Sequence, residues 1–123
     1  MTDFPTVVEV LAIHYHQIER FGGAHGVRDL GQLEAALFRP QSGYYSDLIA
    51  QAAALWESLS QNHAFVDRNK RTAFAVMFTF LAINGVRLTA DADETWAFLS
   101  RLYEAGSFRF DALDQWLRQN TAP

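Results

Sequence analysis

Apolar residues recur every three or four positions along most of the chain, a spacing that is typical of amphipathic helices. The pattern predicts a first helix over residues 5–20, which Gly22 and Gly23 end. A shorter helix follows over residues 30–38, with Asp29 as its N-cap. No window shows the sustained alternation of a strand, so helices are expected to dominate.

The middle of the chain predicts two longer helices. Asp47 is expected to cap the first, which runs to about residue 61. Its buried face is formed by Leu48, Ala52, Leu55 and Leu59, with Trp56 beside them. Asn69 is expected to cap the second, which continues to Asn84 and ends at Gly85. Residues 72–83 are apolar apart from two threonines, so this helix is predicted to be central and buried all round.

Two further helices complete the pattern. One is predicted over residues 89–104, and Ser107 is expected to cap the last, which runs to residue 120. The fold class is therefore all-α, a single domain over residues 1–123 with about six helices around a buried central one. Residues 40–46 are predicted to be a loop or one small hairpin. The tryptophans are assigned to the core: Trp56, Trp96 and Trp116.

Composition removes several functional classes. The chain of 123 residues contains no cysteine, which excludes disulfide scaffolds, thiolate zinc sites and cysteine nucleophiles. Its net charge of −4 argues against direct nucleic-acid binding. The N-terminus does not resemble a signal peptide, and no apolar stretch reaches the roughly 20 residues of a membrane span. We therefore expect a cytoplasmic protein with no membrane partner.

Three cations crowd the start of the predicted central helix. Lys70 and Arg71 lie in its first turn and Arg68 stands just before, where positive charge opposes the helix dipole. A bound anion such as phosphate would compensate for this arrangement, whereas the alternative is a solvated basic flank. Lys70 is the only lysine, while nine of the ten basic residues are arginine. A compact ammonium in place of a guanidinium therefore points weakly to a function at this position.

A histidine and an aspartate adjoin these cations. His63 is a candidate general base, and Asp67 is a candidate carboxylate ligand for Mg²⁺ beside a phosphate. Taken singly, His63 could cap the preceding helix, and Asp67 could cap the next one or pair with Arg71. Together with the cations they supply what phosphoryl or nucleotidyl transfer needs, because that chemistry is mostly positioning and charge stabilisation. The sequence contains neither a P-loop nor an HExxH zinc motif.

The segment of residues 63–73, HAFVDRNKRTA, resembles the signature of the Doc toxins, a branch of the Fic superfamily. The Fic pattern reads H-x-F-x-[DE]-G-N-G-R-x-x-R, and Doc proteins have lysine at the second glycine, as this chain does at Lys70. Phe74 replaces the final arginine, as in Doc. Further segments resemble Doc in the same order along the chain: RFGG at 20–23, GVRD at 26–29, LEAAL at 33–37 and NGV at 84–86.

The resemblance implies a toxin that uses ATP to phosphorylate a threonine of elongation factor Tu and so blocks translation. It implies that His63 activates the target hydroxyl, that Asp67 holds Mg²⁺, and that Asn69, Lys70 and Arg71 bind the phosphates. Arg68 occupies a position that is normally glycine or alanine, where it would either add a phosphate contact or fill part of the nucleotide site. The target-docking flap of the family is expected at residues 40–46, with Tyr44 and Tyr45.

The resemblance leaves three functions open. The enzyme transfers the γ-phosphate of ATP, or it transfers AMP as Fic enzymes do, or Arg68 blocks the site and the protein only binds an antitoxin. Many Fic proteins also carry an inhibitory [ST]-x-x-x-E-[GN] helix, to which Ser100–Glu104 is a near match. We interpret these two residues as part of an exposed helix face. Inhibition is therefore expected from a separate antitoxin, whose C-terminal segment folds onto the toxin.

Overall fold

Six α-helices and one small sheet form the fold in the computed structural model, which describes residues 1–123. The helices are α1 (Val7–Phe21), α2 (Leu30–Phe38), α3 (Leu48–Gln61), α4 (Asn69–Ile83), α5 (Ala92–Ala105) and α6 (Phe110–Gln119). The strands β1 (Arg87–Leu88) and β2 (Thr121–Ala122) pair antiparallel. The all-α class with six helices is confirmed. No helix is both long enough and apolar enough to cross a membrane.

Helix α4 occupies the centre, with α3, α1 and β1 packed against it. The core is built around Trp56 of α3, which is fully buried. Four aromatic rings surround its indole at centroid distances of 5.7 to 6.5 Å: Phe74, Phe98, Phe108 and Trp116. The prediction that α4 is buried all round is only partly right. Phe78 and Ile83 are each 47% exposed, so one side of the central helix is open.

Side-chain caps set most of the helix starts. Asp29 and Asp47 accept hydrogen bonds from the amides of Gln32 and Ala50, which confirms both as N-caps. Helix α1 begins at Val7 rather than at residue 5, because Thr6 and Glu9 form a capping box there. A second capping box, between Asp91 and Glu94, starts α5 at Ala92 rather than at residue 89.

Two predicted caps are wrong. Asn69 is the first residue of α4, and the N-cap position belongs to Arg68, whose side chain does not cap the helix. Ser107 does not cap α6 either, since Arg109 occupies that position. Instead, the amide of Phe110 donates 2.7 Å to the Glu57 carboxylate of α3. A contact between residues 53 positions apart thus replaces a local cap, which no local sequence rule could have found.

Three further details bear on the predictions. For residues 40–46 the loop alternative is confirmed and the hairpin is wrong, because a 3₁₀ turn over Arg39–Gln41 leads into an irregular loop. The two short strands were not predicted, because two residues are too few to display alternation. Trp96 lies outside the core with its side chain 70% exposed, while Trp56 is fully buried and Trp116 is half-buried.

Candidate functional site

The loop of residues 63–68 connects α3 to α4 and is bounded by two strained residues. His63 and Arg68, with φ of 50° and 62°, are the only non-glycine residues in the chain with positive φ. Such left-handed conformations cost roughly 1–2 kcal/mol for an L-residue and persist only where surrounding contacts hold them. The loop is therefore fixed by tertiary contacts rather than by its own conformational preference.

A second loop, residues 22–29, runs antiparallel alongside the first. Val66 donates its amide to the Gly26 carbonyl at 3.0 Å, and Arg28 donates its own to the Ala64 carbonyl at 2.8 Å. The Arg28 side chain also donates through Nε to the His63 carbonyl at 2.8 Å. Gly22 and Gly23 were predicted only to end the first helix. Gly22, Gly23 and Gly26 all adopt positive φ here, so the close spacing of three glycines was the sequence signal for this loop.

Asp67 is held by amides from both loops. Its Oδ2 accepts from Ala24 N at 3.2 Å, and its Oδ1 accepts from Arg68 N at 2.9 Å. These two hydrogen bonds hold the pKa of the Asp67 carboxyl below its usual range. The bond from Ala24 has the larger effect and the bond from Arg68 the smaller one. A Cβ on Gly23 would lie 2.8 Å from Oδ2, so only glycine allows this close approach. The carboxylate is therefore ionised at neutral pH, and it forms no ion pair with Arg71.

Beneath the loop lies His14 of α1, which the sequence did not single out. The side chain is buried, and its Nε2 lies 2.9 Å from the carbonyl oxygen of Asp67. Because the carbonyl can only accept, Nε2 carries the proton in this contact. Burial lowers the pKa of His14, although the carbonyl partner opposes the change. His14 thus supports the backbone of Asp67 as a neutral donor.

Asn69 fastens the other end of the loop. Its Oδ1 accepts from Phe65 N and its Nδ2 donates to Phe65 O, both at 2.9 Å. The Phe65 side chain is itself buried in the core. The Asn69 side chain is therefore used for loop geometry, and its backbone amide is the group that α4 presents to the site.

Arg68 points its guanidinium towards the end of α1. Nε donates to the Gly22 carbonyl at 2.8 Å and Nη2 donates to the Phe21 carbonyl at 3.0 Å. These bonds satisfy carbonyl groups at and just beyond the last residue of α1. Nη1 has no partner within the protein. The phosphate contact predicted for Arg68 stays a prediction, in competition with this structural use.

The backbone amides of the first turn of α4 are available to bind an anion. No side chain caps it, and Thr72 is the first residue whose amide donates into the helix, to Arg68 O. The two cations of this turn rest on aromatic rings: Lys70 Nζ is 4.1 Å from the Tyr103 centroid, and Arg71 Cζ is 4.0 Å from that of Phe21. Neither forms an ion pair with a carboxylate.

All six of the predicted catalytic, metal and phosphate residues line one cavity of about 740 Å³. They are His63, Asp67, Arg68, Asn69, Lys70 and Arg71. The opposite wall comes from α5 and includes Trp96, Ser100, Tyr103 and Glu104. Ser100 and Glu104 therefore face the cavity, which their interpretation as an exposed helix face did not anticipate. His63 is exposed, and its imidazole makes no hydrogen bond within the protein.

Tyr44 and Tyr45 do not line this cavity. Tyr44 is 83% exposed, whereas the Tyr45 hydroxyl accepts a 2.7 Å hydrogen bond from Arg39 and its ring lies against Phe110. Their role in target docking stays a prediction. The segment that does lie along the loop of residues 63–68 is the 22–29 loop.

The size of the cavity and the groups that line it suit ATP and Mg²⁺. The volume lies within the range of about 300–1,000 Å³ that is common for small-molecule sites. The amide-bonded oxygens of Asp67 each keep a lone pair for a hard cation. Mg²⁺ is typically held by one or two carboxylates together with phosphate oxygens and water, so one aspartate at the rim is sufficient.

Comparison with known proteins shows the family of the chain. The model of the Fic/DOC family matches residues 4–81. The chain is 55% identical over 78 residues to Toxin Doc of Mycolicibacterium smegmatis, an alignment that covers 59% of this chain and 60% of that protein. It is 36% identical over 84 residues to Protein kinase doc of Escherichia phage P1, covering 65% of this chain and 67% of the relative. The chain belongs to the Fic/Doc family.

Proposed function

We propose that the protein is the toxin of a toxin–antitoxin pair and transfers the γ-phosphate of ATP to a hydroxyl group of a target protein. The target we propose is a threonine of elongation factor Tu, whose modification would block translation. The names of the two relatives, a toxin and a protein kinase, support this assignment.

One observation carries the proposal. An uncapped helix N-terminus and two cations without carboxylate partners open onto the cavity that also contains His63 and the ionised Asp67. Backbone amides and cations at a helix N-terminus are the groups that bind phosphate. Because the Arg68 guanidinium is bonded to Phe21 and Gly22, it leaves the cavity open. This placement favours an enzyme over a protein whose site is blocked.

Each residue then has a defined task. The free imidazole of His63 takes the proton of the target hydroxyl, whose oxygen attacks the γ-phosphorus while the bond to the bridging oxygen breaks and ADP leaves. Lys70, Arg71 and the amides of the first turn stabilise the negative charge on the phosphates. Asp67 would hold Mg²⁺, which neutralises phosphate charge when bound.

The test is the intact mass of elongation factor Tu after incubation with the protein, ATP and Mg²⁺. A gain the size of one phosphate supports the proposal, and His63→Ala should abolish it. A matched control is His25→Ala, because His25 is exposed and outside the cavity. A gain the size of AMP would show that the protein transfers AMP rather than phosphate. No gain with wild-type protein would contradict the proposed target.

The antitoxin contact is proposed on the open side of α4. An apolar groove of about 360 Å³ lies between α4 and α5 and shares Phe74, Trp96 and Leu99 with the catalytic cavity. Phe78 and Trp96, which both line this groove, are 47% and 70% exposed, and neighbouring exposed apolar side chains often mark an interaction site. A segment of the antitoxin laid in this groove would cover these rings and also close the rim of the cavity.

Substitution of Phe78 tests this contact, because Phe78 lines the groove but not the cavity. Phe78→Ser should weaken antitoxin binding at least tenfold while ATP binding is retained. Phe38→Ser is the matched control, since Phe38 is 67% exposed on α2 and lines neither the groove nor the cavity. Equal antitoxin affinity for both variants would place the contact elsewhere.

A further inference from the structure

The only lysine of the chain is held by an aromatic ring from a different helix. Lys70 Nζ of α4 lies 4.1 Å from the ring centroid of Tyr103 of α5. This distance is well within the roughly 6 Å over which a ring face attracts a cation. No carboxylate is close enough to form an ion pair with the ammonium. The ring is therefore its one specific partner in the protein.

The Tyr103 ring is itself fixed from two sides. Its hydroxyl lies 3.1 Å from Ser60 Oγ of α3, and its ring stacks on Phe108 with centroids 4.7 Å apart and planes 6° apart. Ser60 and Phe108 are both buried. The position of the ring is thus determined by the core, and the position of the ammonium by the ring.

An aromatic partner differs from a carboxylate in its consequence for ligand binding. A carboxylate would neutralise the lysine, whereas a ring orients the ammonium and leaves its charge available to an anion. A free lysine side chain would lose rotamer entropy when it binds a phosphate. Holding it on a ring beforehand reduces that cost.

We propose that Tyr103 is a positioning residue that holds the Lys70 ammonium at the α5 wall of the cavity and so fixes where the polyphosphate of the nucleotide lies. The inference rests on the proposed function for its ligand. Arg71 stands on Phe21 from α1, so the two cations flank the amides of the α4 first turn from opposite elements.

The geometry can be measured without any nucleotide. Because Lys70 is the only lysine, labelling with ¹³C-lysine gives one side-chain Cε–Hε signal. Protons above an aromatic ring are shielded, so this signal should lie upfield of its position in the unfolded chain. Tyr103→Phe should keep the upfield shift and Tyr103→Leu should remove it. An unshifted signal in the folded wild-type protein would overturn the proposal, even if Tyr103→Leu did not fold.

The consequence for binding is tested by a double-mutant cycle with ATP. Tyr103→Leu should weaken ATP binding by roughly 3- to 30-fold, the range of a cation–π contact, and should have little further effect once Lys70→Met is present. Tyr103→Phe should restore most of the affinity. Tyr15→Leu is a matched control, since Tyr15 is exposed on α1 and does not line the cavity.

The outcomes separate this inference from the proposed function. Additive effects of Tyr103→Leu and Lys70→Met would show that Tyr103 does not act through Lys70, and would overturn the inference while ATP binding stands. If the wild-type protein does not bind ATP, the proposed function fails. In that case the lysine signal alone decides whether the ring holds the ammonium.

Discussion

The imidazole of His14 lies parallel to the phenyl ring of Phe65, with centroids 3.8 Å apart and planes 6° apart. His14 belongs to α1, and Phe65 is the aromatic residue between His63 and Asp67 in the loop that follows α3. The same imidazole bonds to the Asp67 carbonyl, so one buried side chain supports the loop at two points. The position of the loop of residues 63–68 therefore depends on α1 as well as on α4.

We expect the burial of His14 to make stability depend on pH. Burial lowers the pKa of His14 below 6.5 in the folded protein, so the unfolded chain binds more protons there. The free energy of unfolding should fall as the pH drops from 6.5 through the folded pKa. In His14→Gln that part of the fall should be absent. Urea unfolding at a series of pH values measures it, with exposed His16→Gln as control. Parallel curves for wild type and His14→Gln would contradict the prediction.

His63→Ala should abolish growth inhibition and leave the fold intact. The His63 side chain is exposed and has no hydrogen-bond partner, so its loss should change the free energy of unfolding by less than about 0.5 kcal/mol. Toxicity in a bacterial growth assay and thermal unfolding together check this. A variant as toxic as wild type would show that His63 is not the base.

Substitutions at Arg68 should affect stability more than nucleotide binding. Arg68→Ala loses two hydrogen bonds to carbonyls and should lower the free energy of unfolding by about 1–3 kcal/mol. Arg68→Gly loses the same bonds but relieves roughly 1–2 kcal/mol of left-handed strain, so it should be the more stable variant. Denaturant unfolding and ATP calorimetry separate the two roles. A loss of ATP affinity of about tenfold or more in both variants would favour a phosphate contact instead.

Removal of the Asn69 side-chain amide should loosen the loop of residues 63–68. Asn69→Ala leaves the amide and the carbonyl of Phe65 without their partner and should cost about 1–3 kcal/mol of unfolding free energy. Asn69→Asp keeps the acceptor and should cost less. Hydrogen exchange at the Phe65 amide reports the effect directly, and Asn62→Ala is the control because its bond to Gln32 is exposed. Unchanged exchange in Asn69→Ala would refute this role.

The fold could be predicted largely because its helices are specified locally. Asp29 and Asp47 bond to amides three residues ahead, and a rule of sequence spacing finds such contacts. The start of α6 could not be found in this way, because its partner Glu57 comes from another helix. The exposure of Trp96 was missed for a related reason. Periodicity places a residue on a face of a helix but does not reveal whether another element covers that face.

The sequence predicted which residues form the candidate site but not how they are arranged. Local charge against the helix dipole identified Lys70 and Arg71, and both line the cavity. The contacts that position the loop and Lys70 were missed, because His14 and Arg28 reach the loop, and Tyr103 reaches Lys70, from distant parts of the chain. For Arg68 the residue type alone was not sufficient. It suggested a phosphate contact, whereas the left-handed backbone directs the side chain to the end of α1.

Both ends of the described chain are fastened at the far end of α4. Asn84 exchanges two hydrogen bonds with the backbone of Asp3, each of 2.9 Å, and β2 pairs with β1 a few residues further on. Since α4 contains 15 residues at about 1.5 Å each, some 20 Å separate this junction from the first turn of α4. The C-terminal strand pairs with Leu88, which lines the groove proposed for the antitoxin. An affinity tag or fluorescent label placed next to Asp3 would lie away from the first turn of α4, so protein immobilised there can be used to follow nucleotide binding.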